Sequence, residues 1–394
     1  MDNKHIVDLR EKRKKQGVSQ QQLARAVGIN RECLNRIENG KIPADAGLIE
    51  KLESALDSIN FQEPLFLLID YVRIRFRTCD EVHVIEKILR IKMKYMGQED
   101  YGFYGYSGHY YIGDIFVLVS MDEKKGTLLE LKGQGCRQFE CYLEAQGRSW
   151  YDFFKICISE KAVIKRLDLA INDRIGMLDI PQLIQKCKSD ECVTKFRNFK
   201  DYGSGELVSS REDNKKEMGK TLYIGSMKSD IYFCIYEKAY EQYVKNGTAI
   251  EESEVKNRFE IRLKNGHSEQ AVLDLIEHQD GEKTAFSIIN NYLCFVDSDL
   301  KKPKEEWKVN KEWLHFIGKN RDKLRLTTQA EPYELRKTMN WLSHQVASSQ
   351  KMLAEIDRLN GTTFLNDILQ NAKLNERHKK IIEQSTTNIE EMIC

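Results

Sequence analysis

The chain has 394 residues, enough for two or three domains, and its 41% hydrophobic content with five prolines is that of a globular protein. Its 62 basic and 61 acidic residues leave a formal charge of +1, so overall charge neither requires nor excludes a polyanionic partner. Ten cysteines, none spaced Cys-x-x-Cys, exclude the zinc-finger spacing and a secreted disulfide framework and fit reduced thiols in a cytoplasmic protein. The start, Met1-Asp2-Asn3-Lys4-His5, leads into a charged helix instead of an apolar signal core, and no run of about 18 apolar residues is present to span a membrane.

Residues 1–60 read as a small all-helical unit. A basic first helix closes at Gly17, Ser19 and Gln22 form a capping box for a second helix from Gln20 to Val27, and Asn30 opens a third after Gly28. Near Pro64 the period changes to that of strands. Residues 65–76 alternate strictly in their second half, a helix is predicted over 81–96, and 101–113 is aromatic and Gly-rich. Strands at 115–121 and 127–132 lead to a helix near 150–159, a strand at 163–173 and a helix at 178–192. Residues 200–220 read as a polar, mobile loop. Two β-forming runs flank the turn Gly225-Ser226-Met227-Lys228-Ser229-Asp230, and the second empties into a helical pattern with Tyr236 at the junction; 257–264 is one more alternating strand. From about residue 304 the sequence is charged and mostly helical, a separate tail. The division is therefore 1–60, 65–303 and 304–394, in an α+β protein with a helical N-terminal domain, a mainly antiparallel sheet flanked by helices, and a helical C-terminal region.

Two features bear on chemistry. A strand-to-helix junction holds the backbone rigidly and offers free N–H groups that favour a phosphate, a good place to expose the Tyr236 phenol. Several strands also set one acid among apolar neighbours: Asp70, Glu130, Asp168 and Glu260. Such a carboxylate is costly unless paired, hydrogen-bonded or bound to a metal, although each alone could point to solvent from an open sheet face. Together they suggest a shared oxygen-only cluster suited to Mg²⁺ or Mn²⁺. The bland reading of Tyr236, Tyr240 and Tyr243, spaced i, i+4 and i+7, is one aromatic stripe packing a helix, and Tyr240 is the rival nucleophile. The aromatic stretch 101–106 suits either base stacking or a loop with its rings in the core.

The pattern Ser-Gln-Gln-Gln-Leu-Ala-x-x-Val-Gly-Ile-Asn-x-x-x-Leu-x-x-Ile-Glu-Asn-Gly over 19–40 resembles the helix-turn-helix of Cro-like repressors. That resemblance implies a third helix in the major groove, aiming Asn30, Arg31, Glu32, Asn35 and Arg36 at DNA, with Gln20 joining them. The order Arg-Leu-Asp-Leu-Ala (166–170), Tyr-x-Gly-x-x-x-Ser-Asp (223–230), Ile-Tyr-x-Lys (235–238) and Arg-x-Glu-Ile-x-Leu (258–263) resembles rolling-circle replication initiators of the Rep_trans type. With the N-terminal reader, the whole is similar to MobT relaxases of integrative and conjugative elements. The resemblance implies Tyr236 as nucleophile and Asp168, Glu130, Glu260 and, more weakly matched, Asp70 as ligands of Mg²⁺ or Mn²⁺; Lys238, two positions after Tyr236, and Arg166, two before Asp168, are candidates to lower the tyrosine's pKa or to hold a phosphate. The chain departs from another relaxase pattern in lacking a His-apolar-His pair, since His109 and His267 stand alone.

The implied function is nicking of one strand at an origin of transfer, with a 5′-phosphotyrosyl link, a free 3′ hydroxyl and rejoining by the reverse reaction. The implied partners are duplex origin DNA at the helix-turn-helix and a single strand at the nick. The tail is a candidate surface for a coupling or auxiliary transfer protein or a second protomer. Two rivals are a plasmid replication initiator with the same chemistry, and a non-enzymatic repressor with a ligand-sensing or dimerisation domain. The repressor gives no reason for acids recurring on successive strands.

Overall fold

The computed structural model describes residues 9–10, 12–13, 20–29, 31–38, 46–58, 64–205, 217–318, 338–339 and 342–394. It is an α+β protein with strands β1 (Leu65–Phe76), β2 (Gly97–Glu99), β3 (Gly108–Ile112), β4 (Ile115–Val119), β5 (Thr127–Lys132), β6 (Val163–Asp173), β7 (Cys192–Thr194), β8 (Phe199–Gly205), β9 (Glu217–Ile224), β10 (Ile231–Glu237), β11 (Asn257–Lys264), β12 (Leu293–Asp297) and β13 (Lys308–Val309). The chain forms two compact units, a first of Met1–Ile69 with Asp168–Thr327 and a second of Asp70–Leu167 with Thr328–Cys394. It passes between them within β1 and within β6, so each of these strands lends one half to each unit.

The N-terminal helices of the first unit, Gln20–Ala26, Arg31–Glu38 and Ala46–Ser58, pack on Leu9, Leu23, Ala24, Leu34, Leu52 and Leu56. These apolar residues recur at helical spacing, so each helix turns one stripe inward. Gly28, at φ +74°, makes the turn between the first two helices, a left-handed conformation that glycine adopts without strain. Beside this core Arg13 makes a bidentate pair with Glu38 through Nε at 2.6 Å and Nη2 at 2.8 Å, and the Gln20 amide donates to the same carboxylate at 2.6 Å. Gln20, expected to face DNA, is therefore buried in a network that braces the helix-turn-helix.

The remaining strands of this unit run β6-β11-β10-β9-β8, with β10 antiparallel to both β11 and β9. Alternation sends Phe233, Ile235, Phe259 and Ile261 to one face, where Phe295, Trp313 and Phe316 close the core. Trp313 and Phe316 lie on the helix Lys311–Phe316, so residues 311–316, read as the start of a separate tail, supply core to the first unit. A small sheet, β13-β12-β7, stands beside the helix Ile180–Lys188. Of the stretch 200–220 read as a mobile loop, residues 200–205 and 217–220 belong to the paired strands β8 and β9, and 206–216 lie outside the described residues.

In the second unit the order is β2-β3-β4-β5-β1, antiparallel at every pairing. The helices Gln134–Ala145 and Trp150–Ser159 bury Phe139, Trp150, Phe153 and Phe154 in mutual ring contact, and Ser149 with Asp152 caps the second helix reciprocally. The helix expected over 81–96 is a π-helical segment, His83–Leu89, stopped by Arg90 at φ +57°, followed by a 3₁₀ turn at Met93–Tyr95. The helices Glu376–Thr386 and Ile389–Met392 pack into this unit, with Gln384 donating to the Tyr95 carbonyl at 3.0 Å and Met392 buried against the Tyr142 hydroxyl. Among the described residues no helix is long and apolar enough to cross a membrane.

Candidate active site

The face of the first unit's sheet opposite the aromatic core is polar because each strand contributes every second residue to it. β10 presents Tyr232, Cys234 and Tyr236, and the antiparallel register sets Cys234 opposite Glu260 and Tyr236 opposite Arg258 on β11. Arg262 follows on the same face, and β6 supplies Asp168 and Asn172.

Tyr236 sits one residue before the strand ends, at the mouth of the helix Lys238–Asn246. Its hydroxyl donates to Glu260 Oε1 at 2.7 Å. Glu260 is only 3% exposed, and its other oxygen accepts from Arg262 Nε at 2.8 Å and Nη2 at 2.6 Å. Arg262 Nε also lies 3.8 Å from Asp168 Oδ2, so one guanidinium links two buried carboxylates. Arg258 donates to Asn172 Oδ1 at 2.6 Å and stands 3.8 Å from Glu260. Burial alone would lower the Arg262 pKa, but the Glu260 and Cys234 charges and the hydrogen bonds to Tyr232 and Glu260 together outweigh it and push the value up, so Arg262 stays cationic.

Lys238 pairs with Glu241, and its ammonium lies 5.5 Å from the centre of the Tyr236 ring. Burial, with Cys234 adding to it, pushes the neighbouring phenol of Tyr223 up to about 12, and burial with the Glu260 charge pushes the Cys234 thiol up to about 12. Neither neighbour is a ready nucleophile at neutral pH. Tyr240 packs against β9 at Gly219, where φ is +91° and an added Cβ would lie 2.6 Å from the Tyr240 Cβ. A cavity of about 510 Å³ opens in front of Tyr236, lined also by Tyr202, Lys220, Tyr223, Lys245 and Arg262.

Of the other catalytic and metal-binding residues expected from the sequence, Glu130, Arg166 and Asp70 fall in the second unit. Glu130 on β5 is buried, and Lys132 at 2.8 Å, Arg73 at 2.8 Å, Tyr104 at 2.9 Å and Tyr71 all contact its carboxylate. Burial would raise the Glu130 pKa; Lys132, Tyr71 and Arg73 outweigh it and hold the carboxyl below its usual range. Arg166 lies over the Tyr71 ring, 4.0 Å from its centre. Asp70 is partly buried on β1, and its carbonyl accepts from the Gly133 N–H at 2.8 Å. Among the described residues no group of three or more His, Cys, Asp or Glu is arranged to hold a metal ion. In the N-terminal domain Arg36 is exposed and Asn35 partly so. Asn30 lies outside the described residues, as do the side chains of Arg31 and Glu32.

Arg258, Arg262 and Asn172 were missed in the sequence although their signal was present. In Arg258-Phe259-Glu260-Ile261-Arg262 the charges fall at period two and must share a face with Glu260.

Residues 162–369 match the family model described as replication initiation factor, 66–156 the N-terminal domain of rolling-circle replication initiation proteins, and 9–63 a helix-turn-helix. A protein of Bacillus subtilis (strain 168) named as a DNA relaxase, NicK, is 38% identical over 335 residues, 84% of this chain and 93% of that one. A solved rolling-circle replication initiator from Geobacillus stearothermophilus superposes with a TM-score of 0.58 at 25% identity, over 67% of this chain and 99% of its own.

Proposed function

Because this chain belongs to the replication initiation factor family, we propose that it is a DNA relaxase that nicks one strand of an origin by tyrosine transesterification. The observation that carries the reading is the Tyr236 phenol, at a strand end, donating to a buried carboxylate beside an open cavity.

Tyr236 Oη attacks the scissile phosphorus, its proton passes to Glu260 Oε1, and the bond to the 3′ oxygen breaks as that oxygen takes up a proton from water. The products are a 5′-phosphotyrosyl end and a free 3′ hydroxyl. Because the phosphoester is conserved, attack by a 3′ hydroxyl reverses the step and reseals the strand. Arg262 and Lys238 supply positive charge for the non-bridging oxygens.

The donor set fits a divalent ion. Asp168 and Glu260 are buried, oxygen-only and linked by a single guanidinium, and Mg²⁺ or Mn²⁺ is commonly held by one or two carboxylates completed by phosphate oxygens and water. Bound there, such an ion would act as a Lewis acid on the phosphate. To Glu130, which Arg73, Lys132, Tyr104 and Tyr71 all contact, we assign the task of holding Arg73 and Tyr104.

The helix-turn-helix reads duplex origin DNA through phosphates and a few base edges, and the strand to be cut reaches Tyr236 unpaired. Nicking of this kind starts conjugative transfer or rolling-circle replication. The test is incubation of the protein with Mg²⁺ or Mn²⁺ and labelled single-stranded origin DNA. Wild type and Tyr240→Phe should leave an adduct that survives denaturation, and Tyr236→Phe should leave none. An adduct that persists in Tyr236→Phe and vanishes in Tyr240→Phe would transfer the role to Tyr240.

A further inference from the structure

The loop 101–107 takes no part in the chemistry above, yet it is held more tightly than a connection requires. Tyr101, Phe103 and Tyr104 are 53%, 45% and 52% exposed, a concentration of aromatic surface that folding does not explain. Tyr101 and Phe103 meet edge to face with ring centres 6.2 Å apart. The buried His109 ring supports both, at 5.2 and 5.5 Å, with its Nδ1 2.6 Å from the Tyr101 carbonyl.

Tyr104 is fixed still more firmly. Its hydroxyl donates to Glu130 at 2.9 Å and accepts from Arg73 Nη2 at 2.8 Å, and the Arg73 guanidinium lies 4.4 Å from its ring centre. Its backbone is left-handed, φ +56°, a conformation that costs a tyrosine energy and tends to persist at functional sites. Gly102 cannot be replaced without a clash, since a Cβ there would lie 2.4 Å from the Tyr106 carbonyl oxygen. Lys125 closes the loop from the far side, bonded to the Gly105 carbonyl and 4.8 Å from the Tyr106 ring centre.

We propose that Phe103 and Tyr104, with Tyr101 beside them, form a stacking platform for unpaired bases of single-stranded DNA, and that Arg73, Lys125 and Lys132 meet the backbone phosphates. Exposed rings beside cations are what sequence-tolerant binding of a single strand uses. Rings already locked by hydrogen bonds and ring contacts give up little freedom when a base stacks on them. The proposal rests on the nicking reading only for the presence of an unpaired strand.

The test uses the full chain carrying Tyr236→Phe, so that binding stays non-covalent, and a short fluorescein-labelled single strand of mixed sequence read by anisotropy. Phe103→Ala and Tyr104→Gly should each raise the dissociation constant about tenfold, the loss expected when one stacked base is released. Glycine suits the left-handed backbone at 104, so thermal unfolding of Tyr104→Gly should show that the fold survives. Phe103→Trp should restore affinity, and 2-aminopurine in the strand should be quenched by the parent and much less by Phe103→Ala. Unchanged affinity in both truncated variants overturns the platform. So does a change of oligomeric state with DNA affinity intact, which would give the surface to a second copy of the chain. Adduct formation by the wild-type protein is scored separately, so failure of the platform and failure of the nicking reading are distinguishable.

Discussion

A phenol becomes a useful nucleophile only if its proton has somewhere to go, and in the mechanism proposed above it goes to Glu260, which accepts the Tyr236 hydroxyl at 2.7 Å. Glu260→Gln keeps the shape but removes the base, so adduct formation should slow by about a hundredfold or more while single-strand affinity changes far less. Quenched-flow sampling with denaturing gels measures the rate. Arg262→Lys offers a compact ammonium where two guanidinium nitrogens now meet one carboxylate oxygen, and the same assay should show it as a non-conservative change. Glu130 makes a different prediction. Glu130→Ala leaves Arg73 without its buried partner and should cost about 3 kcal/mol in chemical denaturation, as breakage of buried pairs does. Alternation alone placed Tyr236 and Glu260 on strand ends and faces in the sequence. It could not reveal that Tyr71, Arg73 and Tyr104 surround Glu130, because that depends on the β1–β5 register setting Arg73 opposite Glu130 and on the 101–107 loop folding over them.

At the scale of elements, segments with a marked apolar pattern were legible almost to the residue: β5, β6, β11 and the helix Trp150–Ser159. Segments held mainly by backbone pairing were not. β7 and β8 are short, Gly-bearing or polar, and they exist because β12 and β9 offer them partners. The small sheet is also fastened by charge, which local propensity cannot report. Lys186, on the helix Ile180–Lys188, reaches Glu191 at 2.8 Å and Asp297 at 2.7 Å. Lys186 and then Ser298 hold the Glu191 carboxyl down at about 2. A lowered carboxylate pKa contributes stability that is complete above its ordinary value and is lost as pH falls toward the folded-state value. Glu191 should therefore contribute on the order of 2 kcal/mol at neutral pH, fading between about pH 4.5 and 2. Urea midpoints across that window should fall more gently for Glu191→Gln than for the parent. An identical acid limb in the variant would remove Glu191 from the account.

On the scale of the whole molecule, sequence position and structural membership part company, since neither compact unit is continuous in the chain. The helical composition of the described residues 342–394 was legible, but their attachment was not, because it is made by a few side-chain and backbone contacts to partners hundreds of positions away. Gln384 donates to Tyr95, Lys380 reaches the Lys94 carbonyl, Lys92 N–H donates to the Met392 carbonyl, and Ile393 bridges Ile91. Met392 is 3% exposed, seated against Tyr142 on the helix Gln134–Ala145. The C-terminal segment is thus a structural part of the second unit and not an independent appendage. Met392→Ala should cost about 2–3 kcal/mol, the usual loss for truncating a buried methionine. Deletion of 373–394 should cost more and should lower the thermal midpoint of the full chain, because the Tyr95 carbonyl and the Lys92 N–H would lose these partners and the Arg90 carbonyl would keep only the Gln146 amide. A free helical tail predicts the opposite, an unchanged midpoint with only a loss of helical signal. Calorimetry of the two variants beside the parent decides between them, and an unshifted midpoint for both would return these residues to the status of an appendage.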